Sequence, residues 1–243
     1  KKDSLWVKWV HGRYIRNKAW WDYTPPHDCS WTWKKICSIK ELFKTGCPTP
    51  QVWNFQGHSS FKISYGYHWL TGGSKVPWGK IIWAKANIPR HAFISWVFVQ
   101  HRLPTKVRLN KFTPQSDITC ILCNNAAEDD NHIFSECSYA KEVWDSITKW
   151  WPLPFDPTHN SVEDMTNSLS NHKAPKAHIQ ITCAIFAAGI YHIWSARNQC
   201  LFKNHRIPVP QTICAIKEQI KHRILFLNSI SCNYSAYIDV LLS

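Results

Sequence analysis

The sequence predicts a mainly α fold, in which a helical metal-binding domain with a small β-hairpin precedes a C-terminal αα-hairpin. Apolar residues recur at nearly helical spacing from Trp31 to Phe43, and Pro89 stands where a helix over residues 88–102 would begin. Residues 175–203 and 210–227 are long and amphipathic. A hydrophobic content of 44% in 243 residues is enough to build a core.

Residues 1–50 form a first, tryptophan-rich segment with two short helices predicted over residues 5–14 and 30–43, and Pro25-Pro26 and Pro48-Thr-Pro50 are the breaks after them. Residues 52–55 and 60–63 flank the sequence Gln-Gly-His-Ser, a pattern that favours a small β-hairpin.

A second segment, residues 51–154, contains the predicted metal-binding domain. A short helix over residues 65–70 is closed by a Gly-Gly pair, and the helix over residues 88–102 stops at Pro104. Thr105 is predicted to cap a helix that runs through Lys111, and Ser138 to cap a helix over residues 139–151.

The remaining chain divides into a polar linker, residues 155–174, and a C-terminal helical region, residues 175–243. The linker is expected to carry at most one short helix, over residues 161–169. The two amphipathic segments then form the αα-hairpin, joined through residues 206–208.

Four residues predict a metal site: Cys120, Cys123, His132 and Cys137, spaced C-x2-C-x8-H-x4-C. Three thiols and one imidazole can surround Zn²⁺ as a tetrahedron, and four such ligands leave no open position for chemistry, as in structural zinc fingers. The gap from residue 124 to 131 is acidic, which predicts a solvated loop. The alternative is four unrelated residues, since the chain has ten Cys and thirteen His.

The motifs around this cluster combine in a specific order. They are Trp78–Trp83, Ile88–Trp96, Arg102–Thr105 with Arg108 and Leu109, Asp117–Cys120, the cluster itself, and Glu142–Trp144. Over about residues 61–151, the sequence resembles the zinc-binding domain of plant non-LTR (LINE-type) retrotransposon reverse transcriptases. Weaker similarity extends to three further segments, Leu5–Trp9, Ser30–Lys34 and Ile193–Asn198. The family usually has glycine where this chain has His101.

The chain carries 29 Lys and Arg against 16 Asp and Glu, a net charge of +13, which favours a polyanionic partner. We predict that Arg102, Lys106, Arg108 and Lys111, close to the metal motif, contact the phosphates of a nucleic acid. The retroelement resemblance implies RNA rather than DNA. A dispersed positive charge is equally typical of a solvated surface.

No catalytic residue is predicted. A polymerase centre needs paired aspartates that present metal ions, yet the sole Asp-Asp pair, Asp129-Asp130, lies within the metal motif. Phosphate-binding and serine-hydrolase motifs are missing from the sequence as well. The resemblance therefore implies a zinc-binding piece without its polymerase. Two alternatives stay open: a structural or protein-interaction module, and an inert remnant of a retroelement.

Seven cysteines lie outside the motif, and an odd number cannot pair completely within the chain. They predict a reducing compartment, nuclear or cytoplasmic, and a protein that is not secreted. Cys29 and Cys37 with His27 form a weaker second metal candidate, because a short-spaced pair is missing. No signal peptide is visible in the sequence, and residues 179–193 are too short and polar to span a membrane. The start at Lys1, with a single Met at position 165, suggests a fragment.

Overall fold

The computed structural model describes residues 4–46, 63–72, 76–114, 117–157, 161–231 and 233–242. These residues fall into two compact units, 1–74 and 75–243. Within the described ranges every regular element is a helix, and the β structure is limited to one antiparallel bridge between Thr119 and Ala127. The mainly α prediction is therefore confirmed.

The first unit contains α1 (Leu5–Val10), which continues as a π-helical turn (His11–Ile15), a 3-10 turn (Trp20–Asp22), α2 (Trp31–Gly46) and α3 (Ile63–Leu70). The second unit contains α4 (Gly79–Ile82), α5 (Pro89–Phe98), α6 (Lys106–Asn110), a π-helical turn (His132–Glu136), α7 (Ser138–Trp150), α8 (Val162–Asn171), α9 (Lys176–Lys203), α10 (Val209–Ser231), a 3-10 turn (Ser235–Tyr237) and α11 (Ile238–Leu242).

The predicted β-hairpin finds no support. Residues 52–62 lie outside the described ranges, and Ile63, predicted to end the second strand, is the first residue of α3. The predicted linker also differs from the structure. It contains α8, whose Met165 and Leu169 are buried in the core of the second unit. A capping box between Ser161 and Asp164 fixes the start of α8, so the helix predicted there is confirmed.

The core of the first unit is built around Trp33, which is buried on α2. Its ring stacks on Tyr14 at a centroid distance of 4.4 Å, and its indole N–H donates to the Tyr23 hydroxyl at 3.1 Å. Lys40 is also buried, and its ammonium group donates to backbone carbonyls of Trp20 and Tyr23. The tryptophans of this segment that are buried thus have a packing role.

Helix α9 is the centre of the second unit and packs against α5, α7 and α10. Gly189 allows α7 to approach closely, because a Cβ atom there would come within 2.4 Å of the Trp144 ring. The predicted pair of long helices is confirmed, with α9 and α10 in contact. At 28 residues, α9 is long and apolar enough to cross a membrane, but 72% of its most apolar window is buried. Such burial is typical of a core helix.

Helix α5 ends in a left-handed turn at His101, whose φ is 51°. The His101 amide donates to Phe98 O at 2.8 Å and the Arg102 amide to Val97 O at 3.0 Å, as in a glycine-terminated helix. The His101 ring contacts Glu163 Oε1 at 2.8 Å and Asp130 Oδ2 at 3.4 Å. The hydrogen bond to Glu163 is the main cause of a raised pKa for His101.

We predict that the effect of replacing His101 with glycine depends on pH. Glycine removes a left-handed strain of about 1–2 kcal/mol but also removes the ion pairs. Because folding raises the pKa of His101, those pairs stabilise the protein fully below the unfolded-state pKa of about 6.5 and are lost as pH rises through the folded value. The free energy of unfolding of His101→Gly, relative to the parent chain, should therefore increase from pH 5.5 to 8.5 in denaturant titrations.

The variant His101→Asn provides the control, because asparagine tolerates the left-handed backbone and carries no charge. It should show the same trend with pH. A difference from the parent chain that stays constant across this pH range would contradict the assigned ion pairs.

Candidate metal centre

The four residues of the C-x2-C-x8-H-x4-C motif converge on one point. Their ligand atoms all lie within 4.8 Å of one another. Cys120 Sγ is 3.9 Å from Cys137 Sγ, and Cys123 Sγ is 3.1 Å from His132 Nε2. Zinc bond lengths imply tetrahedral edges of about 3.8 Å between two sulfurs and about 3.6 Å between sulfur and nitrogen. The arrangement can hold a metal ion, and its donor set fits Zn²⁺.

The first two ligands lie on a tight turn between two short arms. The Cys120 amide donates to Ala126 O at 2.7 Å, and the Glu128 amide donates to Ile118 O at 2.8 Å, which closes the base of the turn. The Asn124 amide donates back to Cys120 O at 2.8 Å, and Asn124 adopts a φ of 55°. Asparagine is one of the few residues that tolerate this backbone, so the sequence favours the turn locally.

The other two ligands follow on a helical segment. The Asp129 carboxylate accepts from the His132 amide at 2.8 Å and begins a turn that becomes π-helical from His132 to Glu136. The Cys137 amide donates to His132 O at 2.7 Å. Cys137, rather than the predicted Ser138, occupies the N-cap position of α7, and Ser138 is the first helical residue. The prediction failed because cysteine is not among the usual capping residues.

Electrostatics at the site favour a cation. The pKa of Cys120 is lowered to about 5, mainly by a hydrogen bond from the Cys137 thiol, with backbone amides of Leu122 and Cys123 adding to the effect. The same hydrogen bond is the main cause of a raised pKa for Cys137. The Cys120 thiol is therefore the one that ionises more readily. A bound Zn²⁺ would replace the thiol protons, since thiols must be deprotonated to act as ligands.

The floor of the site is apolar. Leu122, Ile133 and Phe134 are fully buried, and Phe134 contacts Phe98 of α5 at a centroid distance of 4.5 Å. The Trp144 indole N–H donates to Phe134 O at 2.8 Å. The two turns that carry the ligands therefore pack directly against the core of the second unit.

Glu128 corrects the prediction of a solvated acidic loop, because it is fully buried. Its Oε1 accepts from Arg197 of α9, which is 2% exposed, at 2.6 Å from Nη2 and 3.1 Å from Nε. The same oxygen accepts from the Lys106 amide at 3.1 Å, and Arg197 Nη2 reaches Pro104 O at 3.5 Å. One buried ion pair thus joins three parts of the second unit: the loop of residues 120–137 that carries the four ligands (the metal loop), the start of α6, and the central helix α9.

A second arginine supports the cysteine turn from the other side. Arg206 lies in the connection between α9 and α10, and its guanidinium donates to Leu122 O at 2.8 Å. Leu122 stands between the two cysteine ligands. The C-terminal helical hairpin therefore contributes two arginines, Arg197 and Arg206, to the support of the metal loop.

The four basic residues predicted to contact nucleic acid differ in their surroundings. Arg102 and Lys111 are exposed. Lys106 is half-buried and pairs with Asp117 at 2.9 Å, and Arg108 donates to His101 O at 2.8 Å. The structure therefore leaves two of the four, Arg102 and Lys111, extended into solvent, while the other two make structural contacts.

Comparisons with known proteins identify the same region. Residues 61–144 match the family described as zinc-binding in reverse transcriptase, which covers about a third of the chain and includes all four ligands. The match supports a reverse-transcriptase zinc-binding domain in this part of the chain. Comparison with curated proteins finds no match, and neither does comparison with solved structures.

Sequence reasoning missed Glu128 and Arg197 as partners. Both are charged residues that composition alone assigns to the surface. A signal did exist for Arg197, because it lies in Ile193–Asn198, one of the segments with weaker family similarity, on the helix predicted to follow the domain. No comparable signal marked Glu128 as different from the acidic residues beside it.

We predict one zinc ion per chain, held by the four ligands. Cys120→Ser should lose the ion and lower the thermal midpoint, because the free energy of metal binding is also folding free energy in such sites. Zinc content by elemental analysis and thermal unfolding by circular dichroism test this. Cys214→Ser is the matched control, since Cys214 is an exposed thiol outside the site and should change neither quantity. Equal zinc content in both variants would contradict the assignment.

The ion pair gives a separate prediction. Glu128→Gln leaves the Arg197 charge buried without its anionic partner, which costs about 3–5 kcal/mol in the free energy of unfolding. Glu128→Gln/Arg197→Met should cost less than the sum of the two single changes in a double-mutant cycle measured by urea unfolding. Glu142→Gln, an exposed carboxylate on α7, is the control and should have little effect. Additive costs would show that the two residues do not interact.

Proposed function

We propose that this chain is a zinc-stabilised module that binds single-stranded nucleic acid, RNA in preference to DNA, and that it derives from a plant LINE-type retroelement protein and lacks the polymerase. The observation that carries the proposal is a Cys3His centre within a reverse-transcriptase zinc-binding domain on a chain of net charge +13. A retroelement protein must hold its own transcript, which favours RNA. The compartment consistent with free thiols is nuclear or cytoplasmic.

The zinc centre supports this function by fixing a surface, and catalysis is not proposed for it. Four protein ligands close the coordination sphere, so a bound Zn²⁺ would hold the loop in one conformation. Helix α6 is joined to that loop, because the Val107 amide donates to Glu128 O at 3.1 Å. Lys111 and Phe112 follow directly after α6.

Exposed aromatic rings next to lysines support binding to single strands. Phe112 is 75% exposed and follows Lys111, and Phe202, also 75% exposed, precedes Lys203. Surfaces that bind single strands combine aromatic rings, on which bases stack, with cations that contact the phosphates. These two pairs, with Arg102, are the groups we assign to nucleic-acid contact.

The experiment is a salt titration of binding to a fluorescein-labelled U12 RNA, followed by fluorescence anisotropy. We expect the affinity of the parent chain to fall linearly with salt on a log–log plot. Each phosphate of a single strand that a cation neutralises adds about 0.7 to the slope, so Arg102→Ala/Lys111→Ala should flatten it by about 1.4. Lys106 and Arg108 are left unchanged because of their structural contacts.

Lys149→Ala/Lys173→Ala is the charge-matched control, since both lysines are exposed elsewhere on the second unit. It should leave the slope nearly unchanged. Identical slopes for the two double variants would show that the assigned surface does not bind RNA.

A second candidate function is that of a protein-interaction module. The observation that favours it is exposed apolar surface near the end of α10, where Leu225, Phe226 and Ile230 are 41%, 57% and 65% exposed. Exposed apolar patches are typical of protein contacts. A parent chain that binds neither RNA nor DNA at low salt would favour this function over nucleic-acid binding.

A further inference from the structure

A cleft of about 280 Å³ with both polar and apolar lining lies between α5, α9 and α10. Three glutamines line it: Gln199 from α9, and Gln211 and Gln219 from α10. Ser195 and Thr212 add hydroxyl groups. A seam between packed helices is ordinarily apolar. The carboxamides and hydroxyls here offer hydrogen-bond donors and acceptors to a ligand.

Two histidines lie in or next to this cleft: His192 lines it, and His91 contacts His192 and Tyr191. His91 of α5 is fully buried, and His192 of α9 lines the cleft, with ring centroids 5.5 Å apart. Among the described residues, no group meets hydrogen-bond geometry at either nitrogen of His91 or at His192 Nε2. Burial lowers the pKa values of both rings, that of His91 to about 3, and the Gln219 carboxamide beside them offsets only part of this effect. Both rings are therefore neutral near pH 7.

Arg90 is the one permanently charged side chain among the described residues that line the cleft. The Arg90 guanidinium lies over the Tyr191 ring at 5.2 Å and donates to Gln219 Oε1 at 2.9 Å. On the buried side, Tyr191 stacks on His91 at 4.4 Å. No carboxylate is among the described side chains that line the cleft. An anionic group of a ligand next to Arg90 would thus be attracted by the guanidinium and not repelled by any carboxylate that lines the cleft.

We propose that this cleft binds one nucleotide, with its base held by the glutamine carboxamides and its phosphate against Arg90. A carboxamide presents a donor and an acceptor side by side, which matches the edges of nucleobases. The base edge would also supply a partner for His192 Nε2. The volume is near the lower limit of about 300 Å³ for small-molecule sites, which suits one nucleotide rather than a helix.

This inference rests on the proposed function where the nucleotide belongs to an RNA strand. In that case the cleft would read one unstacked base, while the basic surface near the metal centre contacts the phosphates without regard to sequence. Recognition of single, splayed bases is the usual way in which proteins read single-stranded RNA. A free nucleoside monophosphate offers the same chemical groups to the cleft.

The test compares the affinities of fluorescein-labelled U12, A12 and C12 RNA at one salt concentration. The parent chain should bind one of them roughly tenfold or more tightly than another, as expected of paired hydrogen bonds to one base edge. Gln199→Leu/Gln211→Leu removes the polar groups at nearly constant size. It should bring the three affinities within about twofold without altering the salt slope.

Gln100→Leu, outside the residues that line the cleft, is the control and should keep the preference. Circular dichroism and zinc content verify that each variant is folded. Equal affinities for the three RNAs in the parent chain, or a preference that survives Gln199→Leu/Gln211→Leu, would overturn the cleft inference. In either case the salt dependence of binding would still support the proposed function.

If the parent chain binds no RNA, the proposed function fails, and titration with free nucleotides then tests the cleft inference separately. AMP, GMP, CMP and UMP are then titrated into ¹⁵N-labelled protein. Shifts of side-chain amide signals that are missing in Gln199→Leu/Gln211→Leu would support a site for free nucleotides. Unchanged signals with all four would overturn the inference.

Discussion

The buried ion pair between Glu128 and Arg197 is the interaction on which the arrangement of the second unit depends. Both side chains have left water, so each needs the other to offset the free energy of desolvation. Glu128 belongs to the metal loop and also accepts from the Lys106 amide, while Arg197 belongs to the central helix. The pair thus fixes the metal loop and α6 relative to α9, and charged residues at this depth constrain that geometry more than apolar ones would.

The metal ligands provide a second constraint on the metal loop, in addition to the ion pair. Cys120 Sγ and Cys137 Sγ lie 3.9 Å apart, and the cysteine turn and the N-cap of α7 supply one sulfur each. A divalent cation in that position would neutralise both thiolates and join the two segments through the metal. The loop would then be held by coordination on one side and by the buried carboxylate on the other. The proposed nucleic-acid-binding surface next to α6 would then hold its exposed cations and aromatic rings in fixed positions.

The sequence was most informative where one local pattern decides the outcome. Ligand spacing located the candidate metal site, Pro89 marked the start of α5, and helical periodicity predicted the positions of α9 and α10. The amphipathic character predicted for α9 was wrong, because every residue from 181 to 190 is buried. The sequence was least informative where partners are distant in the chain, as for Glu128 and Arg197, 69 residues apart. The linker prediction illustrates the same limit. Met165 and Leu169 are core side chains, but they stand among polar residues in the sequence, so their burial follows only from the packing of α8.

The central claim is that three sulfurs and one imidazole nitrogen bind zinc and so hold the proposed binding surface. Zinc K-edge X-ray absorption of the full chain tests it most directly, because it reports the number, type and distance of the ligands. We expect three sulfurs at about 2.3 Å and one nitrogen at about 2.0–2.1 Å. A first shell made mainly of oxygen or nitrogen, or a folded chain that carries no zinc, would contradict it.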